Sequence, residues 1–151
     1  MTTASTGRRL RSTAGFTLIE IMVVVVILGI LAALIAPNVI NRIDEAQVAK
    51  VKQDIRAIES ALKLYRMDRF RYPTTDEGLD ALVTPPTDPG VPWPPGGYLD
   101  RVPKDPWDRT YHYENPGKRS GTEFDLYSLG RDGQEGGTGV DVDLGNWEIK
   151  K

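Results

Sequence analysis

A single apolar run near the start of the chain limits what this sequence can fold into. Residues 16–36 form 21 consecutive positions that are hydrophobic or small except for Thr17 and Glu20. As a helix rising about 1.5 Å per residue, such a run spans about 30 Å, the thickness of the hydrocarbon core of a bilayer. Arg8, Arg9 and Arg11 precede the run. The positive-inside rule therefore keeps the N-terminus cytoplasmic and exports the rest of the chain.

A cleavable secretory signal is the main competing interpretation of this segment, because it also combines a basic start with an apolar stretch. The run is longer than the usual apolar core of such a signal. Moreover, Ala32, Ala33 and Ala36 lack the A-x-A spacing of its cleavage site. A plain N-terminal anchor is a third interpretation. It leaves Glu20 unexplained, since a carboxylate in a low-dielectric setting is costly unless it is paired.

Beyond Pro37 the apolar residues recur at a helical spacing instead of continuing as a run. Charged side chains occupy most of the positions between them, which is the pattern of a helix with one buried face. The sequence therefore predicts one helix over residues 17–67, apolar in its first half and amphipathic over residues 38–67, with a globular domain packed on the second half. The apolar positions of that second half are Ile40, Ile43, Val48, Val51, Ile55, Ile58, Leu62 and Tyr65.

The residues around the start of the apolar run resemble those of a known family. The stretch "GFTLIE" from Gly15 to Glu20, after a short basic leader, is similar to the class III signal of type IV pilins and of the related pseudopilins of type II secretion. The resemblance implies that a prepilin peptidase removes the leader, residues 1–15, by cutting after Gly15 and then methylates the amine of Phe16. It also implies that Glu20 attracts the N-terminal amine of a neighbouring subunit during filament assembly. A simpler interpretation is that Glu20 reaches the lipid headgroups.

Composition argues against an enzyme. The chain has no cysteine and one histidine, His112, which excludes thiol nucleophiles, disulfides and multi-histidine metal clusters. Neither an EF-hand pattern nor a phosphate-binding GK[ST] loop is present. We therefore expect a structural role with no catalytic residues.

Residues 68–151 predict a small globular domain. Tyr72-Pro73 stops the long helix, and Thr74 with Glu77 has the spacing of a capping box that opens a short helix through about Val83. Alternating residues predict strands at 110–114 and 123–129 and a short third strand at 147–149. The fold class is α+β and, by the resemblance, type IV pilin-like: a long N-terminal helix, membrane-inserted over residues 16–37, packed on a small domain with a short helix, long loops and a small antiparallel sheet.

Four further stretches of the sequence narrow the resemblance to one group within this family. The stretches "YPTTDEGLDAL", "KDPWDRTYHYENPG", "FDLYSLGRDGQEGG" and "DVDLGNW" are similar to those of the major pseudopilins of type II secretion, and the likeness covers the chain from Gly15 to Trp147. Asp108 departs from the pattern, because the family usually has glycine after the DPW triplet. The departure puts the local turn, though not the fold, in question.

The C-terminal loop, residues 129–145, mixes aspartates with glycines. Carboxylate and carbonyl oxygens are the ligands that Ca²⁺ prefers, but the spacing alone fits a solvated Gly/Asp loop about equally well. The family resemblance implies calcium binding here. By position, it implies ligands from the side chains of Asp132, Asp141 and Asp143 and from the carbonyl oxygens of Leu129 and Gln134.

By this resemblance, the chain is a structural subunit that polymerises into the pseudopilus of type II secretion and drives export of folded proteins across the outer membrane. It would be a single-pass protein of the bacterial inner membrane with its C-terminal domain in the periplasm. Expected partners are further copies of the chain, minor pseudopilins at the filament tip, the inner-membrane assembly platform and the prepilin peptidase, but no nucleic acid. Three alternatives stay open: a type IV pilin of a surface pilus for adhesion, motility or DNA uptake, a membrane-anchored enzyme, and an anchored calcium-binding module that never polymerises.

Overall fold

A computed structural model of the chain describes residues 15–88 and 90–148, apart from the side chains of residues 36–38. Most of the predicted leader, residues 1–14, and Ile149 at the end of the predicted third strand lie outside the described residues. The contacts divide the chain into an N-terminal unit, residues 1–40, and a C-terminal unit, residues 41–151.

The predicted long helix is confirmed, since α1 covers Leu18–Arg69 and contributes to both units. Thr17 caps it: the Thr17 carbonyl and hydroxyl oxygens accept hydrogen bonds from the Glu20 N–H at 3.1 and 3.3 Å. The helix ends two residues later than predicted. Phe70 adopts a φ of 56° and donates its N–H to the Arg66 carbonyl at 2.7 Å. This left-handed closure stops the helix before Pro73 is reached.

In the C-terminal unit, one face of α1 forms the core together with the sheet and the loops. Val51, Ile55, Ile58 and Leu62 are completely buried at helical spacing. Ile43, which was predicted on the same stripe, is 53% exposed, so the buried face starts later along α1 than the sequence pattern suggests. The residues outside α1 that complete this core are Leu79, Leu82, Tyr111, Tyr113, Phe124, Leu126 and Leu144.

A polar contact adds to this packing of α1. The Tyr111 hydroxyl donates a hydrogen bond to the Asp54 carboxylate at 2.8 Å, and Lys50 pairs with the same carboxylate at 2.5 Å. Burial raises the pKa of Tyr111, and the hydrogen bond to Asp54 raises it further, so the phenol stays protonated. The contact joins residues 57 positions apart and therefore fixes how the C-terminal segment lies on α1.

The predicted capping box is confirmed, but the helix that follows it differs from the prediction. The Thr74 N–H donates to the Glu77 carboxylate at 2.7 Å, and the Glu77 N–H donates to the Thr74 hydroxyl at 3.2 Å. Gly78 then adopts a φ of 58° and a ψ of −161°, which no α-helix contains. The chain continues as a short 3₁₀ helix, Leu79–Leu82, whose two end residues are buried.

A three-stranded antiparallel sheet completes the C-terminal unit. Strand β1 covers His112–Glu114, β2 covers Asp125–Ser128 and β3 covers Leu144–Gly145, with β2 in the centre. The register pairs Tyr113 with Leu126 and Ser128 with Leu144. The first two predicted strands are thus confirmed in shortened form. The short third strand also forms, but its predicted position at residues 147–149 is wrong, because β3 lies at Leu144–Gly145 and residues 147 and 148 form a turn.

Asn146, the residue directly after β3, explains why the strand stops there. Asn146 is 1% exposed, and its side chain accepts a hydrogen bond from the Leu126 N–H at 3.3 Å and donates one to the Phe124 carbonyl at 3.0 Å. These contacts occupy the edge of β2 that a longer β3 would need. Trp147 turns back instead, and its ring lies so close to Gly145 that an added Cβ there would be 2.5 Å from the ring.

The turn at Asp108 keeps the conformation that glycine favours. Asp108 has a φ of 66°, in the left-handed region that aspartate tolerates better than most residues do. The Asp105 carboxylate accepts hydrogen bonds from the N–H groups of Trp107 and Arg109 at 3.0 and 2.8 Å and so holds the turn closed. Aspartate is therefore accommodated here in a backbone conformation that glycine favours.

Candidate functional site

The first candidate site is the apolar part of α1 in the N-terminal unit. Every residue from Phe16 to Ile35 is exposed. The most apolar window of 18 residues in α1 has a mean hydropathy of 3.1, and none of it is buried. By length and composition this segment can cross a membrane. A contiguous apolar surface of this size has to be covered by lipid or by protein.

The predicted processing and assembly residues lie at the start of this surface. Gly15 and Phe16 are exposed and precede the first turn of α1. Glu20 is exposed within that first turn, where the helix dipole favours a negative charge. All three residues are therefore accessible in a single copy of the chain, as the predicted cleavage, methylation and pairing between subunits would require.

The second candidate site is the C-terminal loop, which leaves β2 at Leu129 and returns at β3. It folds back on itself: the Arg131 N–H donates to the Val140 carbonyl at 2.9 Å, and the Asp143 N–H donates to the Gly136 carbonyl at 3.1 Å. Gly137 has a φ of 82°, and an added Cβ would lie 2.2 Å from the Asp141 carbonyl oxygen. The close approach of these backbone segments therefore requires glycine at position 137.

The three predicted carboxylate ligands occupy different surroundings in this loop. Asp132 is exposed and accepts a hydrogen bond from the Gln134 N–H at 3.0 Å. Asp141 pairs with Arg131, and the shorter of the two contacts is 3.0 Å. Asp143 pairs with Arg119 at 3.0 Å. In the ranges 15–88 and 90–148, no three acidic or histidine side chains are gathered as a metal site would gather them.

The chemistry of the loop nevertheless fits a hard cation. The side chain of Asp143 is 12% exposed, and its Oδ1 atom is buried without a hydrogen-bond donor among the described residues. A buried carboxylate oxygen without a partner is unfavourable. Leu129 and Gln134 lie in the same loop, so their carbonyl oxygens add to a set made of oxygen donors alone, as Ca²⁺ prefers.

Sequence reasoning missed the arginines that hold the loop. Arg109, which follows the Asp108 turn, donates to the Gly130 carbonyl at 2.7 Å and to the Arg131 carbonyl at 2.8 Å. An added Cβ at Gly133 would lie 2.7 Å from the Arg109 guanidinium carbon, so the guanidinium packs directly against the loop backbone. No periodicity or motif marks such an arginine, because its partners are main-chain carbonyls 21 and 22 positions away.

Comparisons with known proteins agree with this architecture. The family model of type II secretion system protein G matches residues 38–147, and the prokaryotic N-terminal methylation motif matches residues 10–36. Type II secretion system core protein G of Pseudomonas aeruginosa is 55% identical over 91% of this chain and 97% of its own length. Its counterpart from Vibrio cholerae is 51% identical over 95% of this chain and 97% of its own.

A solved structure extends the likeness to the fold. The crystal structure of the major pseudopilin from the type 2 secretion system of enterohaemorrhagic Escherichia coli matches with a TM-score of 0.60 and 41% sequence identity. The match covers 74% of this chain and 96% of that one. Because the protein G model matches residues 38–147 and relatives of that name are more than 50% identical over most of the chain, the chain belongs to the type II secretion system protein G family, the major pseudopilins.

Proposed function

We propose that this chain is the repeating subunit of a periplasmic pseudopilus and that it polymerises through the apolar part of α1. The observation that carries this proposal is the fully exposed apolar surface at residues 16–35 in a chain of the protein G family. A membrane covers that surface before assembly, and neighbouring copies of the same helix cover it in the filament. Growth of the filament would then drive the export of folded proteins across the outer membrane.

We also propose how the chain matures and where it lies in the cell. The methylation motif over residues 10–36 supports cleavage by a prepilin peptidase after Gly15 and methylation of Phe16. Before assembly the chain is a single-pass protein of the inner membrane with its C-terminal unit in the periplasm, as the basic leader requires. Minor pseudopilins at the tip and an inner-membrane platform are the further partners, and the role is structural, not catalytic.

Glu20 provides the test of assembly. We propose that its carboxylate pairs with the α-amine of Phe16 in a neighbouring copy, where lipid and apolar side chains keep the dielectric low. Removing one partner of such a pair costs several kcal/mol. Glu20→Gln should therefore reduce the yield of filament by at least about tenfold, since 1.4 kcal/mol corresponds to a factor of ten. Membrane insertion and leader cleavage should be unchanged.

The assay is the amount of chain recovered in sheared filaments from cells that carry the secretion system, with cleavage followed by the change in mass. Glu148→Gln serves as the control, because it removes an exposed carboxylate far along the chain. A normal filament yield for Glu20→Gln would remove the pairing role. Cross-linking that finds only monomer for the unaltered chain would instead favour an anchored module that never polymerises.

The surface-pilus alternative is not favoured by the relatives, which are named as components of type II secretion. Filaments on the cell surface at natural expression would revive it. An anchored enzyme would need an activity that a pocket substitution abolishes while assembly stays intact.

We further propose that the C-terminal loop binds Ca²⁺ through the side chains of Asp132, Asp141 and Asp143 and the carbonyl oxygens of Leu129 and Gln134. The buried Oδ1 of Asp143, which has no hydrogen-bond donor within residues 15–88 and 90–148, supports this proposal. A bound cation would supply the stabilisation that a loop rich in glycine and aspartate cannot gain from apolar contacts. The loop would then complete its folding only where free calcium is plentiful.

The test is thermal unfolding of the full chain in detergent, in millimolar calcium and in excess chelator. At a hundred times its dissociation constant, a ligand stabilises by about 2.7 kcal/mol, which should raise the melting temperature of a unit of this size by about 10 °C. Asp132→Ala should lose most of that difference. Asp88→Ala is the matched control, because the Asp88 carboxylate accepts the same type of local hydrogen bond, from the Gly90 N–H at 3.1 Å, outside the loop. Equal melting temperatures with calcium and with chelator would exclude the site.

A further inference from the structure

Two arginines already neutralise two of the carboxylates assigned to calcium. Arg131 pairs with Asp141, and Arg119 pairs with Asp143. We infer that these arginines compete with the metal, holding the loop when no metal is bound and setting its calcium affinity. This inference rests on the proposed calcium site and adds the residues that tune it.

The geometry of Arg131 allows such an exchange. Its Nε donates to Asp141 Oδ1 at 3.0 Å and its Nη2 donates to Asp141 Oδ2 at 3.4 Å, so the guanidinium faces both oxygens that a cation would use. Its Nη1 also lies 4.0 Å from the Asp44 carboxylate on α1. Arg131 therefore has a second acidic partner in the same unit and keeps an ion pair when it gives up Asp141.

Arg119 is placed in the same way. Its Nη1 lies 3.0 Å from Asp143 Oδ2, its Nη2 lies 2.5 Å from Glu135 Oε1, and its guanidinium carbon lies 4.8 Å from the centre of the Tyr127 ring. Glu135 and the ring keep the guanidinium in place without Asp143. Asp143 itself is nearly buried and needs a compensating positive charge in either state.

Linkage gives the size of the effect. A contact that exists only in the metal-free state lowers the affinity for the metal by the equilibrium constant of that contact. An exposed ion pair such as Arg131–Asp141, whose side chains are 52% and 33% exposed, changes an equilibrium by about two- to fivefold. The Arg119–Asp143 pair should change it by at least as much, because Asp143 is nearly buried. Losing one arginine should therefore tighten calcium binding by about that factor and should lower the stability of the metal-free protein, with less effect on the calcium-bound protein.

The experiment measures calcium affinity by calorimetry and melting temperature in chelator, on the full chain in detergent at physiological salt. Arg131→Gln and Arg119→Gln are the variants, alone and combined. Lys118→Gln is the matched control, because Lys118 neighbours Arg119 in sequence but pairs with Glu114, at 3.4 Å. Arg131→Lys keeps the charge without the two-pronged contact and should tighten binding less than Arg131→Gln does.

We expect tighter calcium binding and a lower melting temperature in chelator for both glutamine variants, with little change for Lys118→Gln. Unchanged or weaker binding by both variants, in a protein whose unaltered form binds calcium, would overturn the inference and leave the calcium site standing. An unaltered chain that binds no calcium would exclude the proposed site as stated. Binding gained in the double variant would then support the inference, because the arginines would have replaced the metal, while no binding in any form would overturn both proposals.

Discussion

Replacing Asn146 by alanine should lower the free energy of unfolding of the C-terminal unit by about 2 kcal/mol. The side chain of Asn146 is 1% exposed and satisfies two buried main-chain groups on β2 and next to it. It accepts from the Leu126 N–H at 3.3 Å and donates to the Phe124 carbonyl at 3.0 Å. Leu126 is completely buried and Phe124 is 5% exposed, so water does not easily replace the lost partner. The Phe124 carbonyl keeps the hydroxyl groups of Ser120 and Thr122 as donors, at 3.0 and 2.9 Å. The Leu126 N–H is therefore the buried group that loses its partner, and one such group costs about 1–3 kcal/mol.

The assay is thermal unfolding in detergent at fixed calcium, followed by tryptophan fluorescence, because all three tryptophans lie in the C-terminal unit. A loss of this size should lower the melting temperature by about 8–10 °C. Asn41→Ala is the matched control, since Asn41 is exposed on α1, and it should change the melting temperature by no more than about 2 °C. A shift of less than about 3 °C for Asn146→Ala would refute the reasoning that this side chain replaces an edge strand.

Two further substitutions test local electrostatics and backbone conformation. Hydrogen bonds from Arg71 lower the pKa of Glu77 from 4.5 to about 2, so the pair stabilises the fold above pH 4.5 and this stabilisation is lost as the pH falls toward 2. Because the Glu77 side chain is 38% exposed and screened by solvent, Glu77→Gln should remove only about 1 kcal/mol at pH 7. The gap in melting temperature between variant and unaltered protein should close by pH 2, and a constant gap would contradict the assignment. Asp108→Gly should be more stable than Asp108→Ala by about 1 kcal/mol, because Asp108 has a positive φ. Equal melting temperatures of the two variants would show that the turn relaxes.

Local signals in the sequence predicted the elements whose partners are close along the chain. The capping box of Thr74 and Glu77 spans three positions, and both of its hydrogen bonds form as predicted. The helix after it was predicted only in part, because Gly78 takes up a conformation that interrupts an α-helix. The predicted end of α1 was two residues too early for a similar reason. Phe70 ends the helix with a positive φ, and its side chain gives no indication of that conformation.

The two candidate sites also differ in how far the sequence predicted them. Gly15, Phe16 and Glu20 could be named because the resemblance that assigns their roles rests on one short and specific motif beside an apolar run. The aspartates of the C-terminal loop could be named only with the help of a resemblance, and their ion pairs with Arg119 and Arg131 could not be predicted. Arg119 lies 24 positions before Asp143, and only the return of the loop toward β3 brings the two together.

The sequence by itself determined the long helix and its apolar first half, and it predicts the direction in which the chain would enter a membrane. These properties depend on hydropathy and helical period, which are set by residues close together in the sequence. Only the tertiary structure decided where β3 ends, which part of α1 is buried and which arginine side chains pair with the loop carboxylates. Asn146, Ile43 and Asp143 show why: the environment of each is set by contacts with residues far away along the chain or by their absence, and such contacts exist only after the chain has folded.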